Sequence, residues 1–144
     1  MQNNSDLFFT FDPTFEQLIL HYIRVYRDQT TIDQSNLKNS RLIKRESESD
    51  RYIYDNRLTA IFHLEDVRVG DMVEYAYSIV GRNPLFKEEF DQSVHLQYTY
   101  PVERLYIRLL LPEEENISVK YFNGAAKPLK KSGQGRTELI WDIS

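Results

Sequence analysis

Apolar and polar residues alternate along most of this chain, most clearly within the stretch 64–84, LEDVRVGDMVEYAYSIVGRNP. Val73, Tyr75, Tyr77 and Ile79 fall on one face there, and Glu74, Ala76 and Ser78 on the other. A period of two with one apolar face predicts a half-buried antiparallel strand. Gly70-Asp71 supplies a turn before it and Gly81-Arg82-Asn83-Pro84 a turn after it. Glycine tolerates positive φ and proline presets its own φ, so the two ends set the register. A slip of one residue would turn all four apolar side chains to the wrong side.

The same period recurs downstream. Val94, Leu96, Tyr98 and Tyr100 alternate with His95, Gln97 and Thr99, which predicts a strand ended or bulged at Pro101. Leu105, Ile107, Leu109 and Leu111 predict another, stopped by Pro112, and Ile117, Val119 and Tyr121 a third, followed by a hairpin-type turn at Asn123-Gly124. Residues 127–136 read as a basic loop and 138–143 as a last strand anchored by Trp141. Upstream, residues 1–6 are a polar lead-in and Leu7-Phe8-Phe9-Thr10-Phe11 is a first short strand closed by Asp12-Pro13. Residues 15–27 fit two periods: Leu18, Ile19, Tyr22, Ile23 and Tyr26 make a helical face, Ile19, Ile23 and Val25 a strand face. Their β-branched and aromatic content favours a strand, with a turn at Asp28-Gln29-Thr30. Residues 28–50 carry the weakest pattern, with a short strand at 41–44 and a solvated run of alternating charge at 44–51. Tyr52-Ile53-Tyr54 and 58–64 are further strands, with a tight hairpin at Asp55-Asn56, and 85–90 is a loop or single helical turn anchored by Phe86 and Phe90. Many short strands separated by turns predict an all-β protein. The expected fold is an antiparallel β-sandwich, immunoglobulin-like in general form, with 1–14 as lead-in and possible first strand and 15–144 as a single domain.

Composition narrows the function classes. A chain of 144 residues is long enough for one ordinary core. A net charge of −4 gives no whole-chain footprint for nucleic acid. The absence of Cys removes disulfides, thiolate catalysis and thiolate metal sites. The opening Met1-Gln2-Asn3-Asn4-Ser5 carries no signal peptide, and no apolar run approaches the ~18 residues of a transmembrane span.

Candidate chemistry is sparse. The acidic group Glu65, Asp66, Asp71 and Glu74 lacks the calcium-loop pattern, so its carboxylates are better suited to accepting backbone N–H bonds in turns or meeting an arginine. His21, His63 and His95 are widely separated and form no metal-ligand motif. No G-x-S-x-G elbow is present, so neither catalytic residues nor a cofactor is assigned. Arg82 offers a planar fork of donors, either to pin its own turn to a neighbouring loop through Glu65 or Asp66, or to contact another domain or a peptide. The pairs Tyr75/Tyr77 and Tyr98/Tyr100 suit core packing for the most part and surface recognition in a minority. The lysines of 127–136 lack interleaved aromatics and read as a solvated hairpin tip.

The fragments Glu65-Asp66-Val67, Val69-Gly70-Asp71, Glu74-Tyr75, Tyr77 and Gly81-Arg82-Asn83-Pro84, flanked by Val25-Tyr26-Arg27-Asp28 and Pro101-Val102-Glu103-Arg104-Leu105, resemble the signature of a bacterial domain of unknown function that precedes transglutaminase-like, cysteine-protease-related domains. The resemblance runs from about 15 to 141. It implies a piece of a longer extracytoplasmic (periplasmic or secreted) protein. The Cys-His-Asp catalytic group of such proteins would lie downstream, and this chain would act as a non-catalytic accessory module packing on that domain. The motif Glu65, Asp66, Gly70, Asp71, Glu74, Tyr75, Tyr77, Gly81, Arg82, Asn83 and Pro84 would then be structural or docking. A peptide or cell-envelope ligand is the expected further partner, and a free-standing carbohydrate- or peptide-binding module the alternative.

Overall fold

The computed structural model describes residues 6–44, 56–86, 92–113 and 117–144. It is all-β and antiparallel, with nine strands, three short sheets and no α-helix among these residues. The chain forms two compact units, Met1–Lys87 and Glu88–Ser144.

In the first unit the strands are β1 (Asp6–Phe11), β2 (Glu16–Arg27), β3 (Thr30–Asp33), β4 (Ser40–Lys44), β5 (Leu58–His63) and β6 (Met72–Gly81). One sheet has the order β1-β5-β4 and the other β3-β2-β6. Their inner faces bury Phe9, Ala60, Phe62 and the adjoining Leu64 against Ile23, with Leu18, Leu20 and Val73 packed around them. This is a β-sandwich, with side chains from two sheets interdigitating to form one core. The strand predicted within 64–84 is β6, and its four apolar residues face the same way as the core face of β2: Val73 pairs with Val25, Tyr75 with Ile23, Tyr77 with Leu20 and Ile79 with Leu18.

The double period of 15–27 has a structural cause. The β2–β6 register shifts between Leu20 and Tyr22, leaving His21 as an extra residue in β2. Such a bulge reverses the alternation beyond it. Leu18 and Leu20 therefore share a face with Ile23 and Val25, and the last two are essentially inaccessible. Spacings of two, three and two within one strand mimic a helical repeat. The turn after β2 is tight, with Arg27 opposite Thr30 and Asp28 at φ 53°.

The second unit has one sheet, β7-β9-β8, formed by β7 (Leu105–Pro112), β8 (Leu129–Gly133) and β9 (Arg136–Ile143). Leu111, Leu139 and Trp141 are its buried residues, with Leu96, Ile107, Leu109 and Ile117 against them. The Trp141 indole N–H donates to the Ala126 carbonyl at 3.0 Å, so the buried ring leaves no polar atom unsatisfied. Asn123 and Gly124 both take positive φ, as the predicted hairpin-type turn requires.

Three expectations need correction. Residues 94–100 and 117–121 do not form strands. Leu96 and Ile117 pack on the second core, but their segments join no ladder among the described residues, and alternation alone does not supply a pairing partner. The basic stretch 127–136 is not simply a loop: 129–133 is β8, whose partner β9 follows through a turn with both Gln134 and Gly135 at positive φ. The strand predicted at 52–54, the residue Asp55 of its hairpin, the anchor Phe90 and most of the charged run at 44–51 lie outside the described residues.

Candidate functional site

The segment joining β5 to β6 folds back on itself through two left-handed positions, Asp66 at φ 51° and Gly70 at φ 94°. The Asp71 N–H donates to the Arg68 carbonyl at 3.1 Å, closing a four-residue turn with Val69 and Gly70 at its tip. That turn is clasped by Arg27, from the far end of β2. Its Nε and Nη2 donate to both carboxylate oxygens of Asp71 at 2.9 and 2.8 Å, and Nη1 donates to Asp66 Oδ2 at 3.1 Å. Arg27 Nη2 also donates to the Asp66 carbonyl. Asp71 Oδ2 accepts the Arg68 N–H at 2.8 Å, and the Arg68 side chain holds Asp66 at 2.8 and 2.6 Å. The Asp71 side chain is only 3% exposed. A buried carboxylate needs this degree of satisfaction, and the bidentate Arg27 fork is the geometry that provides it. The Arg27 guanidinium, followed by the Arg68 N–H, holds Asp71 at about 2. Arg68 and then Arg27 lower Asp66.

The other predicted residues have separate surroundings. Glu65 faces the 34–39 connection, accepting from Asn39 Nδ2 at 3.0 Å, while Gln34 Nε2 donates to the Glu65 carbonyl at 3.0 Å. Glu74 lies on the opposite face of β6 from the core. It accepts from the Tyr26 hydroxyl at 2.6 Å and the Tyr22 hydroxyl at 3.1 Å, and Arg24, stacked 4.3 Å from the Tyr22 ring centroid, approaches it at 3.9 Å. The Tyr26 hydroxyl is the main cause of its lowered pKa. The four carboxylates are thus spread over three sets of partners, and only Asp66 and Asp71 share one.

Tyr75 and Tyr77 stand side by side with ring centroids 6.4 Å apart and planes 24° from parallel. Phe9 supports both from the core, 5.6 Å from Tyr75 and 4.5 Å from Tyr77. The tyrosines remain 47% and 44% exposed, and Ile79 continues the stripe at 41%.

At the end of β6, Gly81 takes φ 126° opposite Glu16, and a Cβ there would sit 2.0 Å from the Phe15 carbonyl oxygen. Asn83 Oδ1 accepts the Leu85 N–H at 3.0 Å, and Pro84 opens a single 3-10 turn, Pro84–Phe86. Arg27 and Arg68 both hold Asp66, so the acidic turn is fixed from β2 and from within itself.

Sequence reasoning did not single out Arg27, Tyr22, Tyr26 or Phe9. The available signal was Tyr26-Arg27 inside a matched flanking fragment. His21 contacts Ser78 Oγ at 2.8 Å and His63 contacts Asp6 Oδ1 at 2.7 Å, so those two histidines have different partners. Among the described residues no group of three or more His, Asp or Glu is placed to hold a metal ion.

In the second unit, Arg104 clamps Asp142 with two 2.8 Å bonds and Arg108 meets Glu138 at 2.6 Å. Open depressions of about 220 and 450 Å³ are lined respectively by Leu96, Tyr98 and Tyr100, and by Tyr106, Leu129 and Trp141. The second is also lined by Lys127, Lys131 and Asp142, and Asp142 is already held by Arg104.

Comparison with known proteins agrees with an all-β scaffold. The crystal structure of a protein from Parabacteroides distasonis, described as a "putative protease", superposes with a TM-score of 0.83 at 18% identity. The match covers 99% of this chain but 28% of that one, so the present chain spans little more than a quarter of its structural relative. Among curated proteins none gives a significant match. A family model for a domain of unknown function with a solved structure, DUF3857, matches residues 1–144, and the chain belongs to that family.

Proposed function

We propose that this domain is a non-catalytic accessory module of a longer, extracytoplasmic bacterial protein. In this reading it precedes a transglutaminase-like domain, packs on it and supports the access of substrate to it. The observation that carries the reading is the use made of the signature residues. Fragments 39 to 48 positions apart in sequence meet as Arg27 with Asp66 and Asp71, and as Tyr26 with Glu74. Their polar atoms are directed at one another, as in a scaffold that fixes a turn. The likeness to part of a longer protein named for protease activity supports the same reading, because it leaves most of that protein's length for other work.

The test is made in the longer polypeptide. Removing residues 1–144 is expected to lower kcat/KM on a polypeptide substrate and the Tm of the remainder, while purified 1–144 turns over nothing. Unchanged folding, activity and substrate range after the deletion would remove the proposal, as would turnover by 1–144 alone.

A further inference from the structure

We infer that the outer edge of β6 is a docking site for an extended polypeptide, which adds as a further strand and lays alternate side chains on Tyr75, Tyr77 and Ile79. In the order β3-β2-β6 the last strand is an edge, and among the described residues it pairs only with β2. Natural edges are protected by brevity, lysine, proline or inward-pointing charge. The edges β3, β4, β7 and β8 follow that rule, while β1 and the part of β2 beyond β3 are shorter than β6. β3, β4 and β8 have four or five residues each and carry Asp33, Arg41 and Lys44, or Lys130 and Lys131. β7 contains Arg108 and ends on Pro112, and β1 has six residues beginning with Asp6. β6 has ten residues, MVEYAYSIVG, with no lysine and no proline. Its single charge, Glu74, is on the outer face and engaged by Tyr22 and Tyr26.

Two features define the occupant. A strand of this length offers a row of backbone donors and acceptors roughly 30 Å long, which another extended backbone satisfies and a sugar does not. Beside that row runs the half-exposed stripe, whose two rings are held by Phe9 and so lose little freedom on binding. Because successive side chains of an added strand alternate in direction, every second one would reach the stripe. The edge presents no free charge of its own, so the fitting peptide is uncharged, with aliphatic or aromatic residues at alternate positions. This deepens the substrate-access role proposed above, and rests on it only for the destination of the peptide.

Hydrogen–deuterium exchange on residues 1–144 tests the inference, with a soluble heptapeptide alternating threonine and valine as probe. Amides within Met72–Gly81 are expected to slow by about tenfold at saturation. The same peptide N-methylated at alternate backbone nitrogens should give no protection. Tyr75→Phe with Tyr77→Phe should keep binding, whereas Tyr75→Ala with Tyr77→Ala should weaken it by about tenfold, the scale of losing stacked aromatic area. The inference fails if β6 gains no protection, if the N-methylated peptide protects equally, or if cellohexaose protects β6 and the peptide does not. It fails too if β6 proves covered by a second copy of the chain that the peptide cannot displace. No neighbouring domain is involved, so a negative result here leaves the accessory role standing, and failure of the deletion test leaves strand addition standing.

Discussion

Arg27 directs its donors at one carboxylate through two parallel bonds and at a second through another, and that geometry decides what replacements can do. Lysine is a point charge without a planar fork, so Arg27→Lys is expected to lower Tm nearly as far as Arg27→Ala, by roughly 5–10 °C. Thermal melts of the two variants check this. Asp71 gives a pH signature with a defined sign. Its folded value of about 2 lies below its ordinary 3.8, so folding favours the ionised form. The stability it contributes is complete above its unfolded pKa and is lost as pH falls from about 4 to about 2. Urea denaturation between pH 2 and 6 should therefore show Asp71→Asn less stable than wild type at pH 6, with the gap closing toward pH 2. A gap independent of pH would mean that the carboxylate is not held by its charge. Gly81 is constrained by space as well as by φ. With the Phe15 carbonyl 2.0 Å from where its Cβ would be, Gly81→Ala is expected to cost roughly 2–4 kcal/mol in equilibrium unfolding.

At the level of the strand, the bulge at His21 absorbs the one odd spacing between the apolar residues of β2. Deleting His21 would bring Leu18, Leu20, Ile23 and Val25 to an unbroken spacing of two and leave every β2–β6 pair in place, so all four would stay on the inner face of a straighter strand. The deletion should therefore keep cooperative unfolding, and His21→Gly, which keeps the extra residue, should change stability by less than ~1 kcal/mol. Loss of cooperative unfolding on deletion alone would mean that the bend made by the bulge, and not the facing of the four apolar residues, holds the first core. The same bulge marks a limit of sequence reading. β6, β7 and β9 were legible because their alternation is regular and their turns are chemically marked. Residues 15–27 were ambiguous because the bulge breaks the period, and β8 was hidden because an exposed edge strand bearing Lys130 and Lys131 has the composition of a loop. At 94–100 the pattern was present without a ladder. The site divided in a similar way: the acidic turn could be read locally, while its arginine lies 39 and 44 residues upstream and no local pattern joins them.

Across the whole chain, the two compact units differ in how completely each can bury apolar surface. Residues 1–87 contain two sheets with a shared core of Phe9, Ile23, Ala60, Phe62 and Leu64, together with the Arg27 clasp. Among the described residues of 88–144 there is a single sheet, with Leu111, Leu139 and Trp141 buried. Three strands with one covered face are close to the least that is stable alone, and chains below about 60 residues leave much of their surface in water. Expressed separately, 1–87 should melt cooperatively, whereas 88–144 should show no cooperative transition. Trp141, the only tryptophan, makes the second half directly observable. In the intact chain its ring is buried and its N–H bonded to Ala126, so its emission should be blue-shifted and poorly quenched by iodide. In isolated 88–144 the emission should move to that of the urea-unfolded chain. Retention of the native spectrum by that fragment would show that Leu139, Leu111 and the ring suffice as a core, and would make the second unit a folding domain in its own right.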